Sequence, residues 1–402
     1  MRPFHSTISL DEARRRLEAA VRPIARTERV SIESAAGRVA SADVTSPMDV
    51  PPFARSAMDG YAVVAADTTG ASKSTPVRLR QLDRIYTGQP SSVTLTPGTC
   101  AEIATGAPLP AGADAVVMVE ETAASGDGVI QIFATTTAGH HVGRRGADIA
   151  VGDRVISSGD VLSPARIGAL AAIGCVDVDV FAKPRVAILS TGNEVVEPGQ
   201  TPAPGQIFDV NRFTLGAIVA AHGGVPEPQR PAQDTVDALI AALDACARAD
   251  LVVFSGGSSV GERDLVVDAI AARGEMIFHG IAVRPGKPTA FARVKGTPFF
   301  GMPGNPTSCL SNAYILLVPF LRAMARLPPH APRTVQAPLG RRIVSAAGRH
   351  QFYTVRLSDG VAFPAFKGSG DITSLSQADG YIEIEADRSV VEEQSLVTVT
   401  LF

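Results

Sequence analysis

DLVVFSGGSSVGERD, residues 250–264, decides how this chain is read. Leu251 to Phe254 form an unbroken apolar run without polar alternation, as a strand buried on both faces requires. Ser255, Gly256, Gly257, Ser258 and Ser259 then make a loop of small residues, and helical spacing resumes in LVVDAIAARG. The same rhythm recurs on both sides. RVAILS (185–190) and PFFGMPG (298–304) are further buried-strand runs, while NRFTLGAIVAAHGG and TVDALIAALDACARA have helical spacing. An open, doubly wound α/β sheet over residues 180–327 follows.

In such sheets ligands sit beyond the carboxyl ends of the strands, so the loops after the strands are where function is sought. STGNEVVEPG (190–199) offers the small residues Thr191 and Gly192 and the carboxylate of Glu194; it also reads as a plain polar turn. The serine and glycine loop offers hydroxyls and amides that suit phosphate at a helix start. Glu262 and Asp264 beside such an anion site call for a hard cation, of which magnesium is the simplest. The blander account is that both carboxylates favour the helix N-terminus. In GMPGNPTS (301–308) Asn305 is expected to cap a helix with Pro306 in its first turn. In VRPGKPTAF (283–291) Arg284 and Lys287 bracket a turn where an oxyanion could be met.

Around this core the chain changes texture. Ser9 and Glu12 form a capping box that opens a helix. Residues 47–146 read as a mostly β insert with one or two short helices, containing SAMDGYA (56–62), where Asp59-Gly60 gives a hairpin signal. Residues 1–46 and 147–179 are expected to form a split linking domain, and 328–402 a small C-terminal β-barrel or sheet.

The 402 residues, 45% hydrophobic and 19% charged, demand several folded domains. A net charge of −3 supplies no field for nucleic acid. The four scattered cysteines and the absence of a long apolar run predict a reduced, cytoplasmic chain without a membrane span. No histidine spacing suits zinc, and His140 and His141 point to opposite faces if that segment is a strand.

Taken together and in order, SAMDGYA (56–62), ATGAPLPAGADAVVMVE (104–120), RRGADI (144–149), STGNEV (190–195), SGGSSVGERD (255–264), RPGKP (284–288) and GMPGNP (301–306) resemble the molybdopterin molybdenumtransferase family, the MoeA group that includes the C-terminal part of gephyrin. The resemblance implies insertion of molybdate into adenylated molybdopterin with magnesium-dependent release of AMP. It also implies a homodimer whose active site lies between subunits, working with the molybdopterin adenylyltransferase and with acceptor molybdoenzymes. By the same resemblance Asp59, Thr105, Asp148, Glu194 and Asp264 are catalytic, and Asp234, Pro303, Pro306, Ser369 and Ser374 are substrate-binding. The loop chemistry adds Glu194, Asp264 and Glu262 as metal ligands and Thr191, Gly192, Ser255, Gly256, Gly257, Ser258, Arg284, Lys287, Gly304 and Asn305 as substrate-binding positions. Two departures stand out: Arg284 where many relatives have lysine, and Gly280 where some have another. A non-catalytic pterin-nucleotide scaffold and the adenylyltransferase itself are the competing readings. The latter family normally consists of the α/β domain alone, whereas an insert and a C-terminal region are present here.

Overall fold

The computed structural model describes residues 7–192, 194–232, 235–256, 265–345 and 348–402. They form two compact bodies: the residues up to Glu28 together with Phe181–Phe402, and Arg29–Val180.

The first body is built on a six-stranded sheet in the order Val225–Pro228, Arg185–Ser190, Leu251–Ser255, Thr297–Met302, Ala290–Val294, Gly274–His279. The first four strands run parallel and the last two antiparallel to their neighbours. Because side chains alternate along a strand, Val186, Ile188, Leu251, Val253, Phe300 and Met302 face one way, against Leu215, Ile218, Leu316 and Leu321. Ala187, Leu189, Val252, Phe254 and Phe299 face the other, against Leu239, Leu243 and Ile270. Helices thus cover both faces, which is the doubly wound arrangement expected. The opening helix, Leu10–Ala20, starts where Ser9 accepts a hydrogen bond from the Glu12 amide. It buries Leu10, Ala13 and Leu17 in this body's core rather than extending the linking segments.

The last helix of this body begins at Pro306, where the sequence places a first-turn proline, and reaches Met324. A wide π turn over Ala313–Leu317 interrupts it. Pro319 explains that turn, since it has no N–H and its ring collides with the carbonyl four residues back in a regular helix.

The C-terminal part adds a mostly antiparallel sheet ordered Val283–Arg284, His350–Ser358, Gly380–Ile384, Leu396–Leu401, Thr334–Pro338, with Val361–Pro364 also paired to His350–Ser358. Its core holds Leu339, Val355, Ile382 and Val399. Through Val283–Arg284, which pairs in parallel with His350 and Gln351, the RPGKP turn is joined to this sheet.

In the second body the insert forms a six-stranded sheet ordered Ala115–Met118, Gly60–Val63, Thr99–Ile103, Val77–Ile85, Val129–Ile132, Thr122–Ala124. Both of its faces are packed. Where short helices were expected, the described insert has only the 3-10 turns Ala65–Thr68 and Val119–Glu121. The linking part pairs Val44–Thr45 with Arg154–Ile156 and packs Leu170 of the helix Pro164–Ala172 against Ile156, Leu162 and Val180.

Asp59-Gly60 is not a hairpin. Arg55–Ser56 pairs with Val142–Gly143, while Gly60–Val63 enters the sheet between Thr99–Ile103 and Ala115–Met118. Likewise, the segment around His140 and His141 is a turn: His141 has φ of 57° and the two rings lie 3.8 Å apart, on one side rather than two. No helix among the described residues is long and apolar enough to cross a membrane.

Candidate functional site

At the carboxyl ends of the parallel strands three loops come within backbone contact. The Thr191 amide donates to the Ser255 carbonyl at 3.0 Å. Gly256, at φ of 121°, leaves no room for a side chain, because a Cβ there would sit 2.4 Å from the Thr191 carbonyl oxygen. A Cβ on Gly304 would in turn sit 3.6 Å from the Gly256 α carbon. Glycine at 256 is therefore what lets the loops meet, whereas at 304 a Cβ would make only ordinary contact.

Asn211, the first residue of the helix Asn211–Ala221, binds two of these loops. Its Nδ2 donates to Ser255 Oγ at 2.6 Å and to the Gly304 carbonyl at 2.7 Å. Around it, Ser190 Oγ, Thr191 Oγ1, Asp209 Oδ2 and Asn211 Oδ1 are buried polar atoms that make no hydrogen bond among the described residues. Buried polar groups are nearly always paired in native structures, so this cluster at the end of the sheet offers polar atoms that a ligand can engage. Glu194 folds back over Gly192, where a Cβ would lie 2.7 Å from its carboxylate.

The RPGKP turn is held by a second buried carboxamide. Asn312 Nδ2 donates to the Gly286 carbonyl at 2.8 Å and to Thr289 Oγ1 at 2.6 Å. Arg284 is exposed, and its charge acts on Tyr353 together with that of Arg341, so two cations stand at this edge of the C-terminal sheet. Lys287 carries the turn's inner carbonyl, which accepts from the Ile281 and Thr289 amides. Gly280 has φ of 94°, a region that lysine rarely adopts. The missing second lysine is thus built into the backbone.

Asn305 does not cap its helix with its side chain; Nδ2 donates instead to Ser369 Oγ at 3.1 Å. Pro306 stands in the first turn as expected, and the Thr307 amide donates to the Ser369 carbonyl. Two candidates from distant parts of the chain are therefore in contact. Pro303 is buried, whereas Gly304 and Asn305 are exposed. Ser374 is fully buried, accepting from the Lys367 amide at 2.9 Å, so its hydroxyl closes the serine turn from inside.

In the second body the Thr105 amide donates to Asp59 Oδ1 at 2.7 Å. That bond, with one from the Thr105 side chain, holds the exposed Asp59 carboxyl below the usual aspartate range. Asp148 lies exposed in the RRGADI turn, its amide donating to the Val50 carbonyl. The turn is fixed by Asp49, which pairs with Arg145 at 2.6 Å and accepts from the Val151 amide.

Asp234, Gly257, Ser258, Glu262 and Asp264 lie outside the described residues. Among the described residues no cluster of three metal-binding side chains occurs. Asn211, Asp209, Asn312 and Arg341 were not singled out by sequence reading, since a helix-opening asparagine looks like a cap and an arginine pair like a solvated face.

The fold and these loops define a molybdopterin-binding α/β domain carrying a β insert and a C-terminal β region. The MoeA N-terminal region (domain I and II) matches residues 8–174, the probable molybdopterin binding domain residues 187–323, and the MoeA C-terminal region (domain IV) residues 336–402. The chain belongs to the MoeA family of molybdopterin molybdenumtransferases. It is 38% identical over 379 residues to molybdopterin molybdenumtransferase 2 of Mycobacterium tuberculosis, with 92% of each chain covered. The Haemophilus influenzae molybdopterin molybdenumtransferase is 31% identical over 403 residues, with 98% of each covered. A crystal structure of a Pyrococcus MoeA protein of molybdopterin biosynthesis superposes with a TM-score of 0.86 at 39% identity, covering 98% of this chain and 99% of the other.

Proposed function

We infer that this transferase of molybdenum cofactor biosynthesis inserts molybdate into adenylated molybdopterin and releases AMP in a magnesium-dependent reaction. The observation that carries the reading is the convergence of Thr191, Ser255, Gly256 and Gly304 around buried polar atoms that make no hydrogen bond among the described residues, at the sheet's carboxyl end. Gly256 and Gly304 offer bare backbone to the substrate phosphates. Thr191 and Ser255 brace the bed from beneath, because the amide of one and the hydroxyl and carbonyl of the other are already engaged. Arg284 and Lys287, held by Asn312, bring positive charge for an oxyanion, and Asn305 with Ser369 closes the C-terminal edge.

The oxygen-rich donor set suits a hard cation. Glu194 would hold it, with Glu262 and Asp264 as the remaining ligands. Magnesium, when bound, neutralises phosphate charge. Asp59, kept ionised by Thr105, and Asp148 orient the incoming molybdate or accept a proton from its water ligands. In the proposed homodimer the Asp59 corner of one subunit serves the α/β site of its partner, in the cytoplasm, taking substrate from the adenylyltransferase and passing the product to apo-molybdoenzymes.

AMP release from adenylated molybdopterin, followed with molybdate and magnesium supplied singly and together, tests the reading. Release that requires both establishes it. Tight binding of the nucleotide without release in any combination discards the transfer step in favour of a scaffold.

A further inference from the structure

Asn211 is only 8% exposed. It sits where a helix begins, yet its side chain makes no cap bond within that helix. Both of its donor hydrogens go outward, to Ser255 Oγ and to the Gly304 carbonyl. The Gly304 carbonyl only accepts, which fixes the carboxamide with its nitrogen toward the loops and its oxygen away from them. That oxygen is buried and makes no hydrogen bond among the described residues, and Asp209 Oδ2, two residues earlier, has only the Arg212 guanidinium at 3.8 Å. Asp209 itself is 4% exposed, and its other oxygen accepts from the Arg212 amide at 3.0 Å. The helix start is therefore capped by Asp209, and Asn211 is released from that duty.

We propose that Asn211 is a positioning residue for the transfer reaction, setting the spacing between the loop that leaves Leu251–Ser255 and the GMPGNP loop so that one substrate meets both. The inference rests on the reading of these loops as the substrate bed. The ladder that pairs Ser255 with Met302 ends where the two loops leave the sheet, and beyond it the Asn211 carboxamide ties the Ser255 hydroxyl to the Gly304 carbonyl. A planar carboxamide with two hydrogens on one nitrogen makes both bonds. A shorter, single-donor or acceptor-only side chain does not. An enzyme site displaced by a fraction of an ångström loses binding of the substrate state it was shaped for.

The test compares wild type, Asn211→Asp and Asn211→Ser as full chains. Binding of adenylated molybdopterin is measured by calorimetry without molybdate, alongside KM and kcat for AMP release and the thermal midpoint. Asn211→Asp keeps the size but turns an acceptor toward the Gly304 carbonyl. At least tenfold weaker binding is expected, with KM raised by a similar factor and kcat changed less. Asn211→Ser, which keeps one donor, is expected to fall between, and it decides the matter if the aspartate variant does not fold. Wild-type affinity and KM in a folded variant, with only the thermal midpoint lowered, overturn the proposal, because a merely structural asparagine behaves in that way. Should wild type bind the nucleotide yet release no AMP, the transfer reading falls while the difference in affinity still decides the role of Asn211.

Discussion

Asp59 accepts the Thr105 amide with one carboxylate oxygen, Oδ1, and leaves its charge open to solvent. Asparagine keeps an oxygen for that amide and removes the charge, so Asp59→Asn separates the bond from the charge. The variant is expected to unfold within a few degrees of wild type and to release AMP roughly 10²-fold more slowly. Unchanged release with intact folding would show that Asp59 only holds the turn. At this scale the sequence exposes what is chemically conspicuous, as with the Asp59 and Thr105 motifs. It hides what depends on a neighbour. Asn211 looks like a helix opener until Gly304 stands beside it, and nothing local shows that the Ser255 hydroxyl accepts from Asn211.

Elements follow the same division. Strands such as Arg185–Ser190 and Leu251–Ser255 are legible because burial on both faces demands unbroken apolar runs, and their helices because the apolar spacing matches 3.6 residues per turn. The SAMDGYA bend misleads because the need for glycine lies in another strand. A Cβ on Gly60 would sit 1.9 Å from the Val117 carbonyl oxygen, so the ladder, not a hairpin, selects glycine. Gly60→Ala must therefore push Gly60–Val63 and Ala115–Met118 apart. A loss of about 1–3 kcal/mol is expected, the usual scale of overpacking. Hydrogen exchange should quicken in those two strands and not in Leu251–Ser255. Unaltered exchange there would mean that the sheet absorbs the methyl group by sliding. Carbonyl positions in a partner strand are set by register, which no local pattern reveals.

At the scale of the molecule the place of the first helix was not legible: Leu10 and Leu17 would suit any apolar face, and only packing assigns them to the α/β core. That core also buries a titratable group. His222 closes the helix Asn211–Ala221, its ring 5.0 Å from that of His330 and its Nδ1 buried without a partner. Burial, with the neighbouring His330 and the Arg322 cation adding to it, pushes its pKa down from 6.5 to about 4. A group whose folded pKa is depressed below the unfolded value binds fewer protons when native. For a histidine this means that stability is full above the unfolded pKa and falls as the pH drops from 6.5 toward about 4. Going from about pH 7.5 to about pH 5, this residue should cost about 2 kcal/mol. His330 is shifted the same way by its own burial and stays in place in the comparison. His222→Gln cannot take up the proton, so its urea unfolding, followed by circular dichroism at both pH values, should show a correspondingly smaller loss than wild type. Equal losses would mean that His222 protonates freely in the native state, and the acid sensitivity of this body would then belong to its carboxylates.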